Sequence, residues 1–100
     1  MYARLTRFQV RLERIDYARQ VFKESILPAN RLQQGYKGTY LFTNQKTGEG
    51  IVLTLWKSEE DAKASEENHH YQEQLVKIMN TFSSPPIREG YEVEHFEFKE

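Results

Sequence analysis

The spacing of hydrophobic and polar positions changes along the chain, and each change marks the start of a new predicted element. Residues 2–12 alternate, with Phe8 and Val10 among the apolar positions of one side, and such alternation is typical of a β-strand. From about Arg14 the apolar residues recur at spacings of three and four. That period predicts an amphipathic helix, which should end at Gly35 because glycine is favoured just past a helix end.

A proline interrupts this first predicted helix. Pro28 has no backbone N–H with which to reach the carbonyl of Glu24, and its ring crowds that carbonyl. We therefore expect a kink or a break near Ile26-Leu27.

Two more alternating runs follow the helix. Residues 36–43 and 51–56 each place apolar and polar side chains on opposite sides in turn. Gly48 and Gly50 lie between them, and we expect both to supply the positive φ angles that hairpin loops often need. The two runs therefore predict a β-hairpin that ends on Trp56, the only tryptophan.

A second helix is predicted directly after the hairpin. Ser58 precedes three acidic residues, 59–61, and this order resembles a capping box in which the serine accepts a bond from a free backbone N–H. The acids lie at the positive end of the helix dipole. An apolar stripe at spacings of three and four then runs from Ala64 to Phe82, where a Ser-Ser-Pro-Pro segment ends it.

The last predicted element is a strand over residues 91–98. Its apolar side changes near Glu94-His95, and a β-bulge at that point would explain the change. The predicted order along the chain is therefore β-α-β-β-α-β.

This order predicts an α+β fold in which two helices cover one face of a four-stranded antiparallel sheet. A length of 100 residues predicts one domain over residues 1–100. Both sides of the hairpin strands carry apolar residues, yet the two helices can cover only one sheet face. Monomers rarely leave such an apolar face in water, so we expect a two-fold homodimer that packs sheet on sheet.

Composition excludes several classes of protein. The net charge of −1 and the absence of a basic face argue against nucleic-acid binding, and the lack of cysteine excludes disulfides and thiolate metal sites. No apolar run approaches the ~18 residues of a membrane span. Residues 1–6 lead straight into a strand pattern without the apolar core of a signal peptide, so we expect a cytoplasmic protein.

Four segments of the chain carry a resemblance to a known family: Gly35-Tyr36-Lys37-Gly38, Thr47-Gly48-Glu49-Gly50, Leu55-Trp56-Lys57-Ser58-Glu59-Glu60-Asp61 and Tyr91-Glu92-Val93. Together they resemble the antibiotic biosynthesis monooxygenase-like family of the dimeric α+β barrel superfamily. The resemblance covers nearly the whole chain, and it implies a ferredoxin-like protomer, a homodimer whose sheets form a barrel, and a pocket between sheet and helices in each subunit.

The resemblance also allows one branch of the family to be tested. Its haem-degrading members use an Asn on strand one with a Trp and a His on the second helix. Counting forward from Trp56, the Trp and His positions fall on Ser65 and Leu75, and strand one has no Asn. These departures argue against haem degradation.

Four residues are candidates for the wall of the implied pocket: Trp56, Asn68, His69 and Tyr71. Three of them have a plainer alternative. Trp56 suits core packing, Asn68 could instead cap a second helix segment after a break at Glu66-Glu67, and His69 could be a surface residue. No catalytic residue is assigned.

The remaining polar candidates are weaker. His69 and His70 are adjacent on a helix, so their side chains point about 100° apart; both could be surface residues, or one could face the pocket as a base. His95 fits an edge or an interface. Arg4 could meet an anionic ligand, or it could be exposed or ion-paired. No His, Asp and Glu set has the i, i+4 spacing of a metal site, so no metal is predicted.

Two functions remain open from the sequence. The first is an oxygenase of the family type that acts without a cofactor on an apolar or aromatic small molecule, whose own carbanion reacts with oxygen. The second is a non-catalytic dimer that binds a small ligand or has a structural role. A closed cavity with convergent polar groups would favour the oxygenase, whereas a cavity filled by Phe22, Tyr71 and Leu75 would favour the second function.

Overall fold

Four β-strands form the centre of the molecule in the computed structural model, which describes residues 1–99. The sheet order is β2-β3-β1-β4, and every neighbouring pair is antiparallel. This is the arrangement expected of the predicted element order, so the α+β fold prediction is confirmed. The strands are β1 (Tyr2–Gln9), β2 (Tyr36–Thr43), β3 (Glu49–Trp56) and β4 (Ile87–Glu92).

Helices lie on one face of this sheet, and each of the two predicted helices is divided into segments. The first predicted helix contains a 3₁₀ turn, two α-helices and a π-helical turn between them. The second is two α-helices in succession. The segments are the 3₁₀ turn Leu12–Arg14, α1 (Ile15–Val21), the π turn Phe22–Ile26, α2 (Leu27–Arg31), α3 (Glu59–Glu66) and α4 (His69–Met79).

The break expected at Pro28 takes the form of the π turn. The backbone N–H of Leu27 donates to the carbonyl of Phe22, five residues earlier. In an α-helix it would donate to the carbonyl four residues earlier. Pro28 then lies in the first turn of α2, the part of a helix in which proline is best tolerated. The predicted position of the break is thus confirmed.

Side-chain caps define the starts of α3 and α4. The Ser58 hydroxyl accepts a hydrogen bond from the backbone N–H of Asp61 at 3.2 Å, as the capping-box pattern predicts. The Asn68 side-chain oxygen accepts from the N–H of Tyr71 at 2.9 Å and begins α4. Asn68 therefore takes the capping role that the sequence left open, directly after the break at Glu66-Glu67.

The end of β1 and the position of the last strand both differ from expectation. β1 ends at Gln9, earlier than the alternating pattern predicts, although the Val10 N–H still donates to the carbonyl of Gly48 and Val10 forms an isolated bridge with Phe82. The last strand is Ile87–Glu92, and residues 93–99 have no regular secondary structure, so the predictions of a strand over 91–98 and of a bulge near Glu94-His95 are wrong. Within residues 1–99, β1 is the only neighbour of β4, and Tyr2, the first residue of β1, already pairs with Glu92. In this described part of the chain, no further stretch of β1 remains with which residues after Glu92 could pair.

The two hairpin glycines have different roles. Gly48 has a φ of 80° and donates its N–H to the carbonyl of Asn44, which closes the turn. Gly50 does not have a positive φ, so that expectation is wrong. It belongs to β3 and pairs with Phe8, and a Cβ at position 50 would lie 2.1 Å from the Phe8 ring.

The helix-covered face of the sheet contains the core, and the other face is open. The largest buried cluster contains Phe22, Ile26, Ala29, Tyr71 and Ile78, with Leu41 and Val52 of the sheet packed against it. On the open face, apolar side chains of several strands remain in contact with solvent. Those more than a third exposed are Tyr40, Phe42, Ile87 and Tyr91.

Candidate functional site

A cavity of about 60 Å³ lies between the sheet and the helices. Its wall is mostly apolar because the inward positions of β1, β2 and β3 face the apolar stripes of the helices. Part of the wall comes from the π turn, through Phe22 and Ile26. The main apolar contributors are Phe8, Phe22, Ile26, Leu41, Val52 and Leu75.

The Phe8 ring forms a fixed part of this wall. It stacks on Phe82, with ring centroids 5.0 Å apart and an angle of 16° between the ring planes. On its other side Gly50 leaves the space that the ring occupies. Phe8 is thus held between an aromatic ring and a position without a side chain.

Arg4 supplies the most buried charge of the cavity wall. It lies on the same side of β1 as Phe8, and only 6% of its side chain is exposed. Its Nη1 donates to the carbonyl of Ala62 at 2.9 Å and to the hydroxyl of Ser65 at 3.1 Å, and it pairs with Glu66 at 3.1 Å. Burial of a guanidinium is tolerated here because α3 supplies these acceptors.

Two aromatic rings complete the environment of Arg4. The guanidinium carbon lies 5.1 Å from the centre of the Trp56 ring and 5.8 Å from the centre of the Tyr71 ring, both within cation–π range. The Trp56 indole N–H donates to the hydroxyl of Thr54 at 3.0 Å. Trp56 therefore supports Arg4 from inside the protein.

Tyr71 combines a buried phenol with an unused proton. The Nη2 of Arg4 donates to the Tyr71 oxygen at 3.3 Å. Because Arg4 is the donor in this bond, the Tyr71 hydroxyl keeps its own hydrogen, and within residues 1–99 that hydrogen has no acceptor. Burial raises the pKa of Tyr71, although the charges of Arg4 and Arg88 act in the opposite direction. The phenol therefore stays protonated at neutral pH and can donate to a ligand in the cavity.

Glu66 links two arginines at this end of the cavity. One of its oxygens lies 3.1 Å from Arg4 Nη1 and 3.3 Å from Arg88 Nη1. Two guanidinium groups on one carboxylate leave one positive charge in excess. Arg19 also lines the cavity, whereas no acidic side chain does so in the described part of the chain.

The structure separates the four predicted pocket residues. Tyr71 lines the cavity. Trp56 is fully buried and does not line the cavity, but its ring lies against Arg4, which does. Asn68 and His69 are exposed and lie outside the cavity wall, because they form the N-terminus of α4, at which Asn68 caps the helix.

The other residues considered from sequence also have clear positions. His70 and His95 are exposed and do not line the cavity. Ser65 is buried and donates to the carbonyl of Ala62 at 2.7 Å, and Leu75 lines the cavity. Over residues 1–99, no three His, Cys, Asp or Glu side chains are grouped so as to hold a metal ion.

The sequence did not identify Arg88 as a residue of the cavity wall, and it did not predict the burial of Arg4. Arg4 is ion-paired, as one alternative held, but it is buried rather than exposed. The sequence did contain a signal for the burial of Arg4. In an alternating strand the even positions share one side, so Arg4 lies on the same side as the apolar residues Phe8 and Val10. Arg88 gave no such signal, because its strand was placed too late in the chain.

Comparison with known families identifies the chain. The sequence profile described as antibiotic biosynthesis monooxygenase matches residues 1–74. The chain belongs to the antibiotic biosynthesis monooxygenase family. The match includes Arg4, Glu66 and Tyr71, whereas β4 with Arg88 lies beyond it. A comparison with functionally curated proteins gives no match.

Solved structures share the fold of this family member at low sequence identity. A candidate antibiotic biosynthesis monooxygenase from Nitrosomonas europaea is 14% identical, with a TM-score of 0.79 over 95% of this chain and 100% of that one. Rv0793 from Mycobacterium tuberculosis is 17% identical, with a TM-score of 0.76 over 95% and 96% of the two chains. SnoaB from Streptomyces nogalater, described as a cofactor-independent oxygenase, is 9% identical, with a TM-score of 0.79 over 95% and 94%.

The helices of this family member are short. Among residues 1–99, none has the length and the apolar character that crossing a membrane requires.

Proposed function

We propose that the protein binds a small apolar or aromatic molecule in the cavity and oxidises it with molecular oxygen, without a cofactor. The observation that carries the proposal is the phenol of Tyr71, whose proton has no acceptor among residues 1–99 and which lies at the wall of a mostly apolar cavity. Membership of the monooxygenase family supports the reaction type.

Cofactor-free oxygenation requires a substrate that can itself reduce oxygen. A ketone with an acidic C–H bond meets this requirement once it loses a proton to water and becomes an enolate. Tyr71 donates its hydrogen bond to the oxygen on which this charge develops, and Arg4 holds the phenol in place from behind. The apolar wall keeps other water away from that oxygen, which strengthens the bond.

The overall reaction converts a CH₂ group and O₂ into a carbonyl group and water. The enolate carbon transfers electrons to O₂ and forms a C–O bond, which gives a peroxide. The peroxide then loses water as its carbon gives up the second hydrogen as a proton. The substrate carbon is oxidised and O₂ is reduced, so no external reductant is needed.

Oxygen uptake by chelator-treated protein tests this proposal. We suggest cyclohexane-1,3-dione as the probe, because it has a single ring and the CH₂ group between its two carbonyl groups is acidic. We expect uptake above the protein-free rate and at least a tenfold loss in Tyr71→Phe, since removal of one donor to a developing oxyanion can cost about 10²–10³ in rate. Arg31→Met, an exposed change outside the cavity, should keep the full rate. If cyclohexane-1,3-dione binds in the cavity and no oxygen is consumed, the oxygenase proposal is wrong.

The size of the cavity favours a second candidate, a binding module without turnover. Phe22, Tyr71 and Leu75 all contribute to the wall, and they leave only about 60 Å³ between them. Ligand pockets usually measure about 300–1,000 Å³. Binding of cyclohexane-1,3-dione without oxygen uptake would support this second function.

The open sheet face leads us to propose a homodimer as the working form. A monomer of 11.9 kDa exposes about 5,950 Å² on average. This chain exposes 6927 Å², which is about 1,000 Å² more. A standard interface covers about 800 Å² per partner, and the exposed Tyr40, Phe42, Ile87 and Tyr91 give the open face the apolar character that such an interface requires.

A further inference from the structure

We propose that the ligand of the cavity carries a carboxylate, which Arg88 binds at the solvent-facing edge, and that its apolar part is no larger than a single ring. This inference names a ligand class for the proposed function and rests on the cavity being a ligand site. Three observations carry it: the charges of the cavity wall, the partners of each arginine and the cavity volume.

The charges of the wall favour an anion of one negative charge. Three arginines line the cavity and no acidic side chain of the described residues does so. Glu66, just behind the wall, neutralises only one of the two guanidinium groups that it contacts. A ligand carboxylate would balance the charge that remains.

The partners of the arginines select Arg88 as its binding group. Arg4 uses both terminal nitrogens on protein acceptors. Arg19 is paired with Asp16 of its own helix. Arg88 has Glu66 as its single ion-pair partner within residues 1–99, and it shares that partner with Arg4. It is therefore the guanidinium with the most donor capacity left.

The position of Arg88 keeps the cost of binding a charge low. Its side chain is 41% exposed, so the carboxylate would remain partly hydrated while the apolar part of the ligand enters the cavity. The Tyr71 phenol stays available for a second polar group on the ligand. Ring and carboxylate would thus occupy the apolar and cationic parts of the same wall.

The cavity volume limits the apolar part of the ligand. A volume of about 60 Å³ is less than half of the roughly 150 Å³ that suffices for benzene in an engineered cavity. Even one ring therefore has to displace a side chain. Met79 lines the cavity, is 45% exposed and has a flexible side chain that can move outward. Fused ring systems would require the core itself to open.

Calorimetric titration with benzoate and benzamide tests the proposal, because the two probes have nearly the same shape and differ in charge. We expect benzoate to bind about tenfold more tightly at neutral pH and low salt, as one charge-assisted bond predicts. Arg88→Met should abolish this preference while benzamide affinity stays the same. Arg88→Lys, which keeps the charge, should retain part of it. Arg31→Met provides an exposed arginine control and should behave as the unmodified protein.

The outcomes separate this inference from the proposed function. Equal binding of the two probes, or a benzoate preference that survives in Arg88→Met, would overturn the assignment of Arg88 and leave the cavity as a site for neutral ligands. Binding of naphthalene-2-carboxylate with an affinity equal to that of benzoate would overturn the size limit. Failure of both single-ring probes to bind would refute the cavity as a ligand site, and the proposed function with it.

Discussion

Replacement of Arg4 by methionine should be the most informative single change in this protein. Methionine keeps the length and the apolar part of the arginine stem, so the change removes mainly the guanidinium. The side chain is 6% exposed and makes four hydrogen bonds, three to α3 and one to Tyr71. The substitution therefore tests the contact that joins β1 to the second pair of helices.

The expected loss follows from these contacts. Breaking a buried ion pair by removing one partner costs about 3–5 kcal/mol. Glu66 is about one-third exposed and keeps Arg88, so it is not left as a buried unpaired charge. We therefore take the lower end of this 3–5 kcal/mol range and expect Arg4→Met to lower the free energy of unfolding by about 3 kcal/mol. A domain of this size has roughly 5–15 kcal/mol in total, so the variant should still fold.

Urea unfolding measures this loss directly. With a denaturant dependence of about 1.5 kcal/mol per molar, the urea midpoint should fall by about 2 M. Protein concentration must be equal in all samples, because an associating protein unfolds at a concentration-dependent midpoint. Arg31→Met is the matched control, and as an exposed substitution it should change stability by less than about 0.5 kcal/mol. If Arg4→Met moves the midpoint no more than this control, the buried network does not stabilise the fold and our reasoning is wrong.

Four further predictions follow from contacts described above. Ser58→Ala and Asn68→Ala should each cost about 1 kcal/mol because each removes a helix cap; an unchanged urea midpoint would contradict the cap. Trp56 should fluoresce at blue-shifted wavelengths in the native protein, and Trp56→Ala should cost roughly 3–5 kcal/mol, since the side chain is fully buried. Light scattering should give about twice the 11.9 kDa chain mass, with a thermal midpoint that rises with concentration; a stable species at the monomer mass would refute the dimer. The raised pKa of Tyr71 means that the unfolded chain loses the phenol proton first, so stability should fall as pH rises above about 10, and Tyr71→Phe should flatten that fall.

Local sequence signals predicted the elements whose causes are local. The break near Pro28 and the cap at Ser58 depend on residues within five positions of each other, and both appear where expected. The last strand was misplaced because Ile87–Glu92 has little apolar periodicity. Its position is decided by pairing with β1, 80 to 90 residues earlier in the chain, and a sequence window does not contain that partner.

The candidate site was harder to predict than the fold for the same reason. Arg4 meets Ala62, Ser65, Glu66 and Tyr71, all more than 55 residues away along the chain. Only folding brings these groups together. Tyr71 was a pocket candidate and does line the cavity, but its role as a donor depends on Arg4, and sequence spacing does not reveal that contact.

The space at Gly50 makes the shape of the cavity adjustable from outside its wall. Gly50 does not line the cavity, yet even one added carbon there would lie 2.1 Å from the Phe8 ring and force it to move. Phe82 stacks against that ring at 5.0 Å, so a displaced ring would have to push Phe82 aside or enter the cavity. A single substitution in β3 could therefore make the cavity smaller while every residue of its wall stays the same. The size of the cavity in this protein can be changed by mutation at a position that a comparison of wall residues alone would overlook.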